Sequence, residues 1–201
     1  MLKILIDYLP WLLLFLLLGG CTAIRMEQPP QAASAAHPAV KIPIDAQRQY
    51  TEALAFMKKG QDKRATELFQ VLIKKFPRLT GPYINLGIIY TRSGRKQEAE
   101  TALQKAIAIK PDNAAAYNQL GILYREAGHF KKAEQTYQKA LAINPDYAYA
   151  HLNLGILLDL YLQRPKQALT QYERYQKLQK KEDKQVKLWI IDLQRRLKKK
   201  P

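Results

Sequence analysis

Side chains able to do chemistry are few in this chain and stand far apart. His37, His129 and His151 are its three histidines, and none has a metal-ligand spacing to another histidine or to a cysteine. No glycine-rich loop is spaced to cradle a phosphate. Asp112, Asn144 and Asp146 flank prolines, where short polar side chains serve as turn residues or helix caps. Cys21 is the single thiol, so no disulfide is needed within the chain. These residues predict no catalytic site, no metal and no cofactor.

The elements that would have to position any chemistry recur with one period instead. Gly60, Gly94 and Gly128 are 34 residues apart, as are Ala65, Ala99 and Ala133, and Pro77, Pro111 and Pro145. A second glycine series, Gly87, Gly121 and Gly155, keeps the same spacing. A fixed period of this length means one supersecondary unit stacked on copies of itself. Within a unit, Tyr83, Ile84, Leu86, Ile88, Ile89 and Tyr90 form a helical stripe that Gly94 ends in a left-handed conformation. Ala99, Leu103, Ala106 and Ile107 mark a second helix over about 96–109, and Pro111 closes the unit. An irregular helical bundle would give no reason for three residue types to share a period.

The units resemble the tetratricopeptide repeat family. Its pattern of aromatic-x-x-Leu-Gly-x-x-Tyr, then alanine, aromatic and proline, reads here as Tyr83, Leu86, Gly87, Tyr90, Ala99, Leu103 and Pro111. The next copy reads Tyr117, Leu120, Gly121, Tyr124, Ala133, Tyr137 and Pro145. A weaker copy starts at His151, Leu154, Gly155 and Leu158 and continues with Ala168 and Tyr172, with one residue inserted around 160–163 and no closing proline. A degenerate first copy has Ala53, Phe56, Gly60, Ala65, Phe69 and Pro77. The resemblance implies an all-α solenoid of about four helix pairs, at 45–79, 80–113, 114–147 and 148–180. It also implies a groove lined by the first helix of each repeat. The residues carried over are Ile84, Ile88 and Arg92, then Asn118, Ile122 and Arg125, then Tyr149, Leu152, Ile156 and Asp159. That set suits an apolar or amphipathic protein segment. The chain's own C-terminal helix or a second subunit could equally fill the groove.

Residues 1–20 stand apart from the repeats. Leu9 to Leu18 is an apolar run of signal-peptide length, broken by Pro10 and preceded by Asp7 and a single base, Lys3. Leu18-Gly19-Gly20-Cys21 resembles the cleavage box of bacterial lipoproteins, which implies a lipid on Cys21; a retained signal anchor is the alternative. In those proteins an aspartate after the cysteine retains the chain at the inner membrane. Thr22 here implies the periplasmic face of an outer membrane. Residues 21–44, with Pro29, Pro30, Pro38 and Pro43, read as a tether without hydrophobic periodicity.

The other flank, 181–201, is basic and amphipathic. Val186, Trp189, Ile190, Leu193 and Leu197 form one stripe, which predicts a helix capping the last repeat. Lys184, Lys187, Arg195, Arg196, Lys198, Lys199 and Lys200 form its basic surface, in a chain of net charge +16. Lipid headgroups, an anionic polymer or an acidic protein face fit such a surface, whereas an exported chain without a nucleic-acid motif does not point to DNA or RNA. Solubility alone would also account for the charge. The function expected is a membrane-anchored scaffold that binds protein partners of the cell envelope in a pilus, secretion or wall apparatus. The alternatives are an inner-membrane assembly factor or chaperone, and a binder of anionic polymer or lipid through its basic end.

Overall fold

The computed structural model describes residues 43–198. The leader, Cys21, most of the tether, and Lys199, Lys200 and Pro201 lie outside the described residues. Nine α-helices and no strand occur within them: α1 (Ile44–Lys58), α2 (Asp62–Lys75), α3 (Thr80–Arg92), α4 (Lys96–Ile109), α5 (Ala114–Glu126), α6 (Phe130–Ile143), α7 (Ala148–Ile156), α8 (Pro165–Leu178) and α9 (Lys184–Lys198). None is long and apolar enough to cross a membrane. Helices pack in consecutive pairs, α1 with α2 through α7 with α8, and each pair stacks on the next.

Each boundary follows from a residue type. Gly94 adopts φ +75°, and the same turn recurs at Gly60 and Gly128. There the amide of the following residue closes back on the helix, as Arg95 N–H does on the Tyr90 carbonyl at 2.8 Å. Phe76, Lys110 and Asn144, each directly before a proline, leave the helical region at φ near −135°. Asn113 caps α5 by accepting from the Ala116 amide at 3.2 Å, and Asn144 accepts from the Asp146 amide at 3.0 Å.

Within a pair the glycine of the first helix lies under a large side chain of the second. A Cβ on Gly87 would fall 2.5 Å from Leu103, on Gly121 2.5 Å from Tyr137, and on Gly155 2.6 Å from Tyr172. The partner of Gly87 is thus the large residue four positions beyond Ala99; Ala99 itself is fully buried nearby. Ala53 and Phe69 hold the corresponding places in the first pair, both at 0% exposure. These contacts run through two adjoining clusters. One is centred on Phe69, Leu72 and Leu103, the other on Tyr137, Leu157 and Tyr172.

The fourth pair absorbs its extra residue in a π-helical turn, Leu157–Tyr161, closed by Leu162 N–H donating to the Leu157 carbonyl at 3.0 Å. The insertion shifts the left-handed position by one, onto Gln163, the only non-glycine among the described residues with positive φ (52°). The missing proline after α8 is replaced by a different stop. Asp183 accepts from the Gln185 and Val186 amides at 3.0 and 3.2 Å and from the Tyr175 hydroxyl at 3.0 Å. That starts α9, which packs on α8 with Val186 and Leu193 buried and the Trp189 ring 5.5 Å from Tyr172. α9 therefore lies where the first helix of a fifth pair would lie, one more layer of the stack. Ile190 occupies the glycine position, so no second helix could close on it in the same way.

Two substitutions test this account. Gly to Ala in a helix interior ordinarily stabilises by up to about 1 kcal/mol. Gly121→Ala should instead destabilise by about 1–3 kcal/mol in urea unfolding, because the Tyr137 ring is enclosed and cannot give way. Gln163→Gly should stabilise by about 1 kcal/mol in the same assay, by removing a side chain from a left-handed position.

Candidate functional site

The first helices touch one another, α3 against α5 and α5 against α7, whereas the second helices make no comparable contacts among themselves. The stack therefore curves with its first helices inside. Ile88, Ile122 and Ile156 repeat at one position of successive first helices and are half-buried there. The same position is Leu54 in α1 and, one residue late because of the insertion, Ile191 in α9, at 38% and 42% exposure. One helix position is thus aliphatic in all five layers, a row that follows the first helices along the concave face. Leu54 and Ile191 went unnoticed in the sequence, although the period that places Ile88 also places them once the inserted residue is counted.

The neighbouring row is broken. Ile84 and Leu152 are half-buried on it, but Asn118 between them is 1% exposed. Its Oδ1 accepts from the Asn153 side-chain amide at 3.0 Å, so Asn118 ties α5 to α7 and is enclosed between them rather than open to a ligand. Asn85 makes a similar tie two pairs earlier, joining α3 to α1 by donating to the Tyr50 hydroxyl at 2.8 Å. Burial pushes the Tyr50 hydroxyl up, and the Asn85 bond opposes that rise.

The charged residues carried over from the resemblance lie towards one end of the first helices. Arg92 pairs with Asp62 at 2.7 Å, and Asp159, 9% exposed, pairs with Arg196 of α9 at 2.8 Å. Arg125 keeps 16% of its side chain exposed, with Glu126 4.0 Å away. Tyr149 lies at the opposite end, 58% exposed, its ring 6.5 Å from those of Tyr147 and Tyr175. The structure brings Ile88, Ile122 and Ile156 into one surface and leaves Arg92 and Tyr149 at its margins. On α9, Lys184, Lys187, Arg195, Arg196 and Lys198 are exposed; Lys187 pairs with Glu182 at 2.8 Å and Arg196 also with Asp192 at 2.9 Å.

Of the histidines, His37 lies outside the described residues, and the other two sit in the frame of the fold. His129 starts α6, and His151 is held between Gln171 and the Pro145 carbonyl at 2.8 and 2.9 Å. No cluster of metal-binding side chains occurs among the described residues.

Comparison with known proteins settles the fold. Two models of the tetratricopeptide repeat match, over residues 50–114 and 83–146. The helical stack is a tetratricopeptide-repeat array. It superposes on the pilF protein of Pseudomonas aeruginosa with a TM-score of 0.69 at 20% identity, over 76% of this chain and 69% of that one. A tetratricopeptide-repeat protein of Thermus thermophilus gives 0.67 at 26% identity, over 76% and 82%. No curated protein matches the chain in sequence. Arrays of this kind bind protein partners and are usually non-catalytic.

The enclosed tyrosines make the array sensitive to alkali. Burial, and then a hydrogen bond donated to Glu100, pushes Tyr124 up to about 12. Burial and a bond to Asp183 do the same for Tyr175. Burial pushes Tyr137 and Tyr172 higher still. The unfolded chain loses these protons first, near pH 10, so stability is full below that pH and falls as pH rises towards 12. Loss of helical circular dichroism should therefore coincide with the late part of the tyrosinate absorbance change. Tyr137→Phe should move the midpoint to higher pH without weakening the array at pH 7, because its buried hydroxyl has no hydrogen-bond partner among the described residues. Ionisation of these rings in a fully helical protein would contradict the assignment.

Proposed function

We propose that this chain is a lipid-anchored scaffold of the bacterial envelope, holding an apolar or amphipathic segment of a protein partner along its concave face. The observation that carries the reading is the row Leu54, Ile88, Ile122, Ile156 and Ile191, which extends through every layer of the array. A surface with that many aliphatic side chains in line suits a helix laid in a groove, or an extended peptide whose alternate side chains face it. α9 lies against α8 as a further layer, which favours a partner over the chain's own C-terminal helix as the occupant. The likeness to pilF is one of fold at 20% identity; it makes pilus assembly the first envelope process to test.

The anchor rests on Leu18-Gly19-Gly20-Cys21, and Thr22 favours the outer membrane over the inner. The tether would set how far the array can lie from its anchor. Its 22 residues from Cys21 to Ile42 reach at most about 75 Å when extended.

Two experiments test the two halves separately. Metabolic labelling with a palmitate analogue should mark the wild type and leave Cys21→Ser unmarked; an unlabelled wild type overturns the anchor. Ile88→Glu combined with Ile122→Glu should lower capture of the partner from envelope extracts at least tenfold while far-ultraviolet circular dichroism stays unchanged. Equal capture by the folded variant overturns the groove.

A further inference from the structure

All turns inside the helix pairs lie on one edge of the array, and that edge collects the positive charge. Contacts between successive turns fix the arrangement. Arg92 in the second turn pairs with Asp62 in the first, and Lys96 reaches the Glu126 carbonyl in the third at 3.5 Å. Phe130 after the third turn stacks on Tyr161 in the fourth with ring centres 4.8 Å apart, and Arg196 near the end of α9 pairs with Asp159. The segments meeting there are 58–64, 92–98, 125–132, 159–166 and 192–198. Together they hold fifteen bases and five acids, a net +10 in a chain of net +16. The opposite edge, built from 43–46, 74–80, 108–114, 142–148 and 177–184, holds eight bases and five acids.

On the basic edge arginines and lysines divide the work. Arg92, Arg95, Arg164 and Arg196 make ion pairs with Asp62, Glu98, Glu134 and Asp159. The lysines, among them Lys59, Lys63, Lys96, Lys131 and Lys132, make no ion pair with a described residue and are exposed. The same edge carries an apolar tip. The π-helical turn projects Leu160 at 68% exposure and Tyr161 at 44% between the lysines of the third and fourth turns.

We propose that this edge is a docking surface for an anionic lipid bilayer. Lysines attract an anionic leaflet by about fivefold in binding for each charge near the surface. Leu160 and Tyr161 match the boundary between headgroups and acyl chains, where an aliphatic side chain is buried and a tyrosine keeps its hydroxyl wet. A soluble polyanion offers the first attraction and lacks the second, so the apolar tip selects the bilayer. Docking in this way lays the turns on the membrane and leaves the concave row open at the side, independently of what that row binds.

The test uses the full chain with Cys21→Ser and one new cysteine carrying a dye, either Gln61→Cys on the basic edge or Asp112→Cys on the opposite edge. Vesicles are phosphatidylcholine alone, or with about one third phosphatidylglycerol, and both carry a headgroup quencher. The apolar N-terminal run is present in every sample, so the readout is which edge approaches the lipid. The dye at Gln61 should be quenched on anionic vesicles and the dye at Asp112 should not. The difference should vanish on neutral vesicles and at about 0.5 M salt, where screening is short. Lys96→Glu, Lys131→Glu and Lys132→Glu together should shift the docked population by about 100-fold or more. Leu160→Ser, which alters only an exposed side chain and leaves the Phe130–Tyr161 stack in place, should reduce it with all charges intact. Equal quenching at the two edges, or quenching indifferent to phosphatidylglycerol, overturns the proposal. So does a Gln61 dye that responds to soluble polyphosphate and not to vesicles, which would assign the edge to a soluble polyanion.

Discussion

The close approach of the two helices in each pair, a small residue under a large side chain, is the contact on which the rest of this molecule depends. At Gly87, Gly121 and Gly155 the absent Cβ is the space that Leu103, Tyr137 and Tyr172 occupy. Dense packing of this kind tolerates little change in volume, so every pair takes nearly the same geometry. Pairs that are alike stack alike. From that repetition come the curvature, the concave row and the common edge, none of which is specified by a residue on its own.

Repetition also explains why side-chain identity at a single position has collective consequences. The place held by Ile88 is aliphatic in all five layers, and a row five helices long can hold a segment that one or two side chains could not. Lysines next to the intra-pair turns gain in the same way. Exposed ion pairs between neighbouring turns are each worth only about 0.2–1 kcal/mol. Their main effect is to leave the unpaired lysines as the charge that faces outward.

The helix pairs were legible in the sequence because their determinants are local. A glycine able to take φ above zero, a proline that ends a helix, and alanines at fixed spacing each act within a few residues. The weakest repeat was legible only as a departure from the pattern. Its added residue near 160 pointed to an irregularity, but whether it would become a loop or a π-helical turn depended on keeping Leu157 and Leu158 buried. The burial of Asn118 was hidden for a related reason: its partner, Asn153, lies one layer away and outside the 34-residue correspondence. The shared edge was hidden too, since its charges are scattered over five segments that only the stacking brings together. Cys21, the leader and the last three residues lie outside the described residues, and their roles remain those proposed from sequence.

The central claim is that the concave row holds a protein partner, and photo-crosslinking in the intact cell tests it most directly. A photoreactive amino acid placed in turn at Leu54, Ile88, Ile122 and Ile156 is expected to give one adduct of common mass, while the same residue at Lys105 or Lys139 of the second helices gives none. Adducts from the second helices alone, or no adduct from any of the four row positions, would contradict the account.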